Sequence, residues 1–462
     1  MTVLRWLWPG IGVKRWLLLF TMGLLLVFLG LAVMVGGGAL RLVAQWAHYL
    51  AYLFTGTAMS PSWRGLLVVI PGLLLMGAAA RGFVTALVRV LFPARDRLGD
   101  LVYELKYLEQ GPRVVAIGGG TGLATLLRGL KTYTSNITAI VTVTDDGGSS
   151  GRLRDELGLP PPGDIRNCLV ALADTEPLME GLFQHRFARG SSLEGHSFGN
   201  LFIAAMAEVS GDFEQAVRES SRVLAVRGRV LPSTKSTAVL HAEFTDGSRT
   251  SGESAIRAGG KAIARVSLSL PDPEPLADSL AAIADADLIV LGPGSVYTSI
   301  VPNLLVKGIA AAIAASPALV VYVVNIMTEH GETDGYGVAE HLEAVHQHAG
   351  QPIVDVVVEN DAPVPAAVVA VYAVEQATPV SPSRGEVERR GVRVARAPLL
   401  SDGPLARHDP HLLAVTIMKL APPGQRSGVS WQGFMWLAEQ LHTRRAKQAP
   451  ITESGGGTND RV

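Results

Sequence analysis

Arg113-Val114-Val115-Ala116-Ile117-Gly118-Gly119-Gly120-Thr121-Gly122 runs from a short β-branched stretch straight into a cluster of glycines. Leu123 to Leu130 follows with apolar residues at helical spacing, and Ile137 to Val143 reads as a second strand that ends at Thr144-Asp145-Asp146. Strand, glycine turn, helix, strand is the opening of a parallel α/β sheet. The strands are apolar without alternation, which predicts a sheet covered on both faces. The glycines let the backbone approach a phosphate closely, and the helix start supplies free N–H groups and the positive end of a dipole. Spacing narrows the kind of site. No Gly-Lys-Ser/Thr closes the turn, so a Walker loop is excluded. A strict G-x-G-x-x-G also fails, because its third glycine would fall at Leu123 or at Thr125.

Downstream, Glu176–Phe187, Phe198–Val209 and Phe213–Val226 have helical spacing. Ser236–Phe244 alternates like a strand and enters a Thr245-Asp246-Gly247-Ser248 hairpin turn, and Ile263–Leu270 is a further strand. These predict a helical and β-rich insert within the sheet. The α/β pattern resumes with the strand Asp287–Leu291, a helix over Leu304–Ala315, the strand Ala318–Asn325, a helix over Val338–His348 and the strand Ile353–Val358.

Five motifs near the ends of these elements suit chemistry. Asp145-Asp146-Gly147-Gly148-Ser149-Ser150-Gly151-Arg152 lies at the carboxyl end of the second strand, where open α/β sheets bind ligands. Its two carboxylates suit either Mg²⁺ or a sugar hydroxyl. In Pro162-Gly163-Asp164-Ile165-Arg166-Asn167, Asp164 is expected to cap the next helix, and Arg166 suits a phosphate or a loop carboxylate. Asn200, in His196-Ser197-Phe198-Gly199-Asn200, can both donate and accept; His196 reads as structural or superficial. Gly292-Pro293-Gly294-Ser295 is a second glycine-rich strand end, with hydroxyls beside it at Thr298 and Ser299. Asn325-Ile326-Met327-Thr328 and His330-Gly331-Glu332-Thr333 read as a loop at another strand end.

The N-terminal part is of another kind. Trp16–Val35 is a run of 20 residues without a charge, long enough to cross a hydrocarbon core of ~30 Å. Gly65–Ala80 is a second apolar run whose pattern continues past Arg81 to Val88, with Pro71-Gly72 as a point of kinking. Residues 1–97 are therefore read as a membrane region with spans at about 16–35 and 65–88. Leu42–Met59 reads as an interfacial segment. Residues 98–111 are expected to form a linker helix, 112–443 a nucleotide-binding domain and 444–462 a disordered tail. Arg5, Lys14 and Arg15 precede the first span and Arg89, Arg95 and Arg97 follow the second, with only Arg41 and Arg64 between. The positive-inside rule then places both termini and the soluble domain in the cytoplasm, at the cytoplasmic membrane.

Charge splits the same way. Residues 1–113 hold 11 Lys/Arg against four Asp/Glu, and the remainder holds 29 against 37. The acidic soluble part argues against nucleic acid as a partner. The single cysteine, Cys168, allows no intramolecular disulfide and is expected to be buried.

Taken together, the motifs at 118–122, 145–152, 162–167, 198–200, 292–295 and 325–328 resemble the YvcK-type gluconeogenesis factor family of the CofD-like superfamily, over about residues 112–440. CofD itself is the 2-phospho-L-lactate transferase of deazaflavin cofactor biosynthesis. The resemblance implies a Rossmann-like core that binds a UDP-sugar, such as UDP-N-acetylglucosamine. It also implies a regulatory role in cell shape and envelope synthesis during gluconeogenic growth, with envelope-synthesis proteins or a second copy of the chain as partners. Carried over by position, Gly119, Gly120, Thr121, Gly122, Asp145, Asp146, Asn200, Gly292, Pro293, Gly294 and Ser295 would line the nucleotide site. The resemblance implies no catalytic residue. A CofD-like, Mg²⁺-dependent phosphotransferase is the alternative, with Asp145 and Asp146 as metal ligands; the acidic loop follows the gluconeogenesis-factor pattern rather than the transferase pattern.

Overall fold

The computed structural model describes residues 13–35, 45, 46, 49, 52, 60–91, 108–174, 177–190 and 192–421. Most of Leu42–Met59, residues 98–107 of the expected linker helix and the C-terminal tail lie outside the described residues. The chain divides into two compact units, Met1–Leu105 and Lys106–Val462.

The first unit contains two long helices, α1 (Val13–Val35) and α2 (Pro61–Leu91). Each holds a stretch long and apolar enough to cross a membrane, Arg15–Met34 at mean hydropathy 2.7 and Gly65–Ala86 at 2.0. They pack antiparallel through glycines seven residues apart. A Cβ on Gly30 would lie 2.7 Å from the Gly65 carbonyl oxygen, and one on Gly23 would lie 2.8 Å from that of Gly72. Small residues that let two backbones touch are how helices associate where lipid removes the hydrophobic drive. Helix α2 continues through Pro71.

The second unit begins with a short 3₁₀ turn, Leu108–Gln110, rather than the end of an α-helix. Its strands are β1 (Val114–Gly118), β2 (Ile137–Val141), β3 (Arg229–Pro232), β4 (Leu240–Phe244), β5 (Arg249–Ser251), β6 (Ile263–Leu268), β7 (Leu288–Leu291), β8 (Leu319–Val323), β9 (Val356–Asn360) and β10 (Arg393–Ala397). Its helices, continuing the count, are α3 (Gly120–Leu130), α4 (Gly148–Leu157), α5 (Gly163–Leu172), α6 (Pro177–Gln184), α7 (Phe198–Ser210), α8 (Phe213–Val223), α9 (Glu253–Ala258), α10 (Ala277–Ala284), α11 (Val301–Leu304), α12 (Ile309–Ala315), α13 (Val338–Ala349), α14 (Ala366–Ala373) and α15 (Pro410–Leu420).

Seven strands form one parallel sheet in the order β10-β9-β8-β7-β1-β2-β3, and β5-β4-β6 form a separate antiparallel sheet. The architecture is Rossmann-like. Along β1, Val114 and Ala116 enter one hydrophobic core while Val115 and Ile117 enter the other, so both faces are dry. The chain runs outward from β1 through β2 to β3 and then returns to the opposite side of β1 with β7. The switch point of the topology therefore lies between β1 and β7, and ligands of open α/β sheets bind at the carboxyl end of such a crevice.

Local chemistry explains several element ends. The Ser197 side chain accepts from the Asn200 N–H at the start of α7, and Asp409 accepts from the Leu412 N–H at the start of α15, where Pro410 occupies the first turn. The 245–248 turn joins β4 to β5 as expected. The expected helix over Leu304–Ala315 is in fact two pieces: a wide turn (Val296–Ile300) runs into α11, and α12 departs at 76°. The break spans Leu305–Gly308: α11 closes at Leu304 in right-handed backbone, and Gly308, at φ +79°, is the left-handed residue from which α12 starts.

Candidate functional site

The two glycine turns meet at the switch point. A Cβ on Gly122 would stand 2.2 Å from the carbonyl oxygen of Pro293, so only glycine lets the start of α3 lie against the Gly292–Ser295 turn. Gly119 is equally confined: its Cβ position is 2.6 Å from Asp164 Oδ2 and from Thr142 Cγ2. Gly120 carries φ +64° and opens α3 without a side-chain cap from Gly119, so the N–H groups of Thr121 and Gly122, unlike that of Gly120, stay directed at the crevice.

Two asparagines fix the turns. Asn303 Nδ2 donates to the carbonyls of Gly118 (3.2 Å) and Ser299 (2.8 Å). Asn325 Oδ1 accepts from the Gly294 N–H at 2.9 Å, and its Nδ2 donates to the Gly294 carbonyl at 3.0 Å and to Glu329 Oε1 at 3.1 Å. Ser295 Oγ accepts from the Thr298 N–H and donates to Glu332 Oε2.

Acidic groups converge on the same edge. Asp164 does not cap its helix as expected; Pro162 is the N-cap residue, with no side-chain hydrogen bond. The Asp164 carboxylate instead reaches across to the Gly120 N–H. Its burial, and then the charge of Asp145, raise it to about 6 against that hydrogen bond. Burial likewise raises Glu253 to about 8 and Glu329 to about 7, and pushes Glu332 up. Arg257 answers this cluster from α9, pairing with Glu253 Oε1 at 2.9 Å and donating to Thr298 Oγ1 at 3.1 Å. Arg166 faces Asp145 and Asp164 electrostatically from the other side, and its guanidinium donates to Ser197 Oγ and Asn167 Oδ1.

The residues expected at the site fall into two groups. Gly119, Gly120, Thr121, Gly122, Gly292, Pro293, Gly294 and Ser295 form the abutting turns, and Asp145 stands beside them. Asp146 serves the insert: its Oδ1 accepts from both the N–H (2.8 Å) and the hydroxyl (2.7 Å) of Ser254. Asn200 sits one shell out, donating to Ser149 Oγ at 3.1 Å; its Oδ1 is buried and has no hydrogen-bond partner. His196 is buried and meets the Ser149 hydroxyl at 3.0 Å, which makes it structural rather than superficial. Cys168 is fully buried, and burial holds its thiol well above the usual range.

The acidic loop does not build a ready metal centre. Asp146 is committed to Ser254, Asp145 Oδ1 accepts from the Gly147 N–H at 2.9 Å, and no cluster of three His, Cys, Asp or Glu with metal-holding geometry occurs among the described residues. The donor set does not fit a Mg²⁺ held by the protein alone. Sequence reading missed Glu253, Arg257, Glu329 and Asn303. Glu329 and Glu332 had a readable signal, since they follow a strand end. Arg257 had none, because the insert brings it in from outside the sheet.

At the opposite, amino edge of the sheet lies a groove of about 530 Å³ lined by Arg113, Asn136, Thr138 and Arg229. Arg113 is held there by Asp285 and Asp287, which satisfies its charge. The carboxyl edge is the site the topology favours.

A doubly wound α/β domain, with its ligand edge made of two touching glycine turns, is the class of protein this geometry defines. The family model of 2-phospho-L-lactate transferase CofD matches residues 114–400. The chain belongs to the CofD family, among the proteins named gluconeogenesis factors. The gluconeogenesis factor of Halalkalibacterium halodurans is 50% identical over 310 residues, 67% of this chain and 96% of its own; that of Bacillus subtilis is 49% identical over 312 residues, 67% and 98%. A relative from Nostoc sp. is 48% identical over 423 residues, 90% of this chain and 92% of its own. A crystal structure of a Bacillus halodurans protein superimposes with a TM-score of 0.66 at 50% identity, covering 67% of this chain and 99% of that one.

Proposed function

We propose that the soluble unit is a UDP-sugar sensor, with UDP-N-acetylglucosamine as its representative ligand. In this reading it couples carbon supply to cell shape and envelope synthesis during gluconeogenic growth. The observation that carries it is the contact of Gly122 with Pro293 at the β1–β7 switch point. It sets the start of α3, with the N–H groups of Thr121 and Gly122, into the crevice beside the Gly292–Ser295 turn, whose own Gly292 and Gly294 N–H groups are taken up by the Ile117 carbonyl and Asn325 Oδ1. The name shared by the relatives supports the physiological half of the reading. A binding role without turnover fits the acidic loop, in which Asp146 anchors the insert through its Oδ1.

The test is a thermal melt of the full-length protein in detergent with UDP-N-acetylglucosamine, other UDP-sugars, and GDP with Mg²⁺. At 100 times the dissociation constant, a ligand specific for the folded state stabilises it by about 2.7 kcal/mol. A shift with a UDP-sugar is the expected result; none with any UDP-sugar would sink the proposal. A GDP–Mg²⁺ shift that disappears in Asp145→Asn would favour the phosphotransferase instead.

A further inference from the structure

Arg257 belongs to the insert, yet it is joined to the ligand edge. Its Nη2 donates to Thr298 Oγ1, two residues past the Val296 that follows the Gly292–Ser295 turn, and it pairs with Glu253 Oε1. Its Nε stands 3.5 Å from Glu332 Oε1, too far for a hydrogen bond. That oxygen is buried and has no hydrogen-bond partner, although Glu332 is 2% exposed. The Arg257 side chain is 51% exposed, while that of Glu253 is 13% exposed and Glu332 is buried. A half-open guanidinium thus stands among acids, one of which is left short of a donor.

Elements on every side face this group. Glu253 shares its helix, Glu329 and Glu332 come from the loop after β8, and Asp164 comes from α5 across the turn of Gly120. Such an edge repels an anion unless a cation answers it, and the acids must shed charge as well. Arginine's planar fork matches two phosphate oxygens in a way a carboxylate pair does not exclude.

We propose that Arg257 is the phosphate-reading residue of this site: on binding, its guanidinium leaves Glu253 for two oxygens of the ligand's diphosphate. This rests on the nucleotide-sugar reading given above. No covalent step is involved.

Calorimetry on the full-length protein in detergent tests this, with UDP-N-acetylglucosamine and uridine as probes. Uridine keeps the base and ribose but has no phosphate. Arg257→Met is expected to weaken UDP-N-acetylglucosamine about 10- to 100-fold, the worth of a charge-assisted hydrogen bond, and to leave uridine unchanged. If Arg257→Met does not fold, Arg257→Lys decides: it keeps the charge, loses the fork, and should weaken the sugar nucleotide several-fold. Equal binding of UDP-N-acetylglucosamine by wild type and the deciding variant overturns the role of Arg257 and leaves the functional reading standing. Failure of wild type to bind any UDP-sugar overturns both.

Discussion

At the residue scale, the tightest constraint is Gly122. Replacing it by alanine puts a carbon 2.2 Å from a backbone oxygen, and neither neighbour is a flexible side-chain tip that can turn aside. Gly122→Ala is expected to lose about 1–3 kcal/mol, the usual cost of overpacking, in urea denaturation. An unchanged midpoint would mean the two turns do not touch. The buried acids give a second prediction. Glu253 (about 8), Glu329 (about 7) and Asp164 (about 6) all titrate above the ordinary carboxyl range in the folded chain, so the folded state holds protons that the unfolded state has released. Their contribution is complete below the unfolded carboxyl range and is lost as pH rises, from about pH 4 to about pH 8. Each proton involved tilts stability by up to ~1.4 kcal/mol per pH unit. Glu253→Gln should remove about one proton's worth of that slope between pH 7 and 8, measured from denaturation midpoints; an unaltered slope would place the titration elsewhere. The glycines and Asp145 were legible in the sequence because backbone conformation and strand ends are local. The burial of Asp164, and the pairing of Arg257 with groups 41 and 75 positions further along the chain, were not, since only the folded topology brings them together.

At the element scale, periodicity located the strands of the sheet centre and the helices of the insert to within a few residues. It failed where elements are interrupted or lie at an edge. The helix expected over Leu304–Ala315 is broken between Leu305 and Gly308, where a left-handed glycine before α12 re-aims the chain despite the apolar spacing on either side. Edge strands β3 and β10 escaped because each carries arginine within a short strand, Arg229 in one and Arg393 and Arg396 in the other. The Asp-Asp loop hid α4, since glycine and serine at its start read as turn residues. In the first unit the two long apolar helices were legible but their contact was not. That contact supplies a third prediction. Gly30→Leu places a side chain into the Gly65 carbonyl, whereas a Cβ on Gly77 meets nothing within 4 Å. In a denaturing-detergent titration of the full chain, Gly30→Leu should lose about 1–3 kcal/mol of hairpin stability, and Gly77→Leu should lose little. Equal effects would mean that glycines do not set the helix contact.

At the scale of the whole molecule, two physically distinct units share one chain. The Bacillus subtilis and Halalkalibacterium relatives match two thirds of it, while the Nostoc match extends over 90%, so it reaches into the first unit as well. Part of the first unit is therefore matched in at least one relative, and a functional account has to include that unit. Two spans return the chain to the side from which it started. The basic residues flank the hairpin at its two ends: Arg5, Lys14 and Arg15 before α1, and Arg89, Arg95 and Arg97 from the end of α2 onward, against Arg41 and Arg64 between. We propose from this charge asymmetry that both ends face the cytoplasm. That location would put the second unit on the side where nucleotide sugars are made and consumed, and so join the proposed ligand to the proposed location. Alkaline phosphatase, active only outside the cytoplasm, checks this directly. Fused after Tyr52 it should be active, and fused after Val462 it should be inactive, while the full-length protein should sediment with membranes until detergent is added. Activity from the C-terminal fusion would invert the topology and separate the crevice from any cytoplasmic nucleotide sugar. Recovery of the full chain without detergent would remove the membrane from the account, leaving the Gly122–Pro293 crevice to act on ligand free in solution.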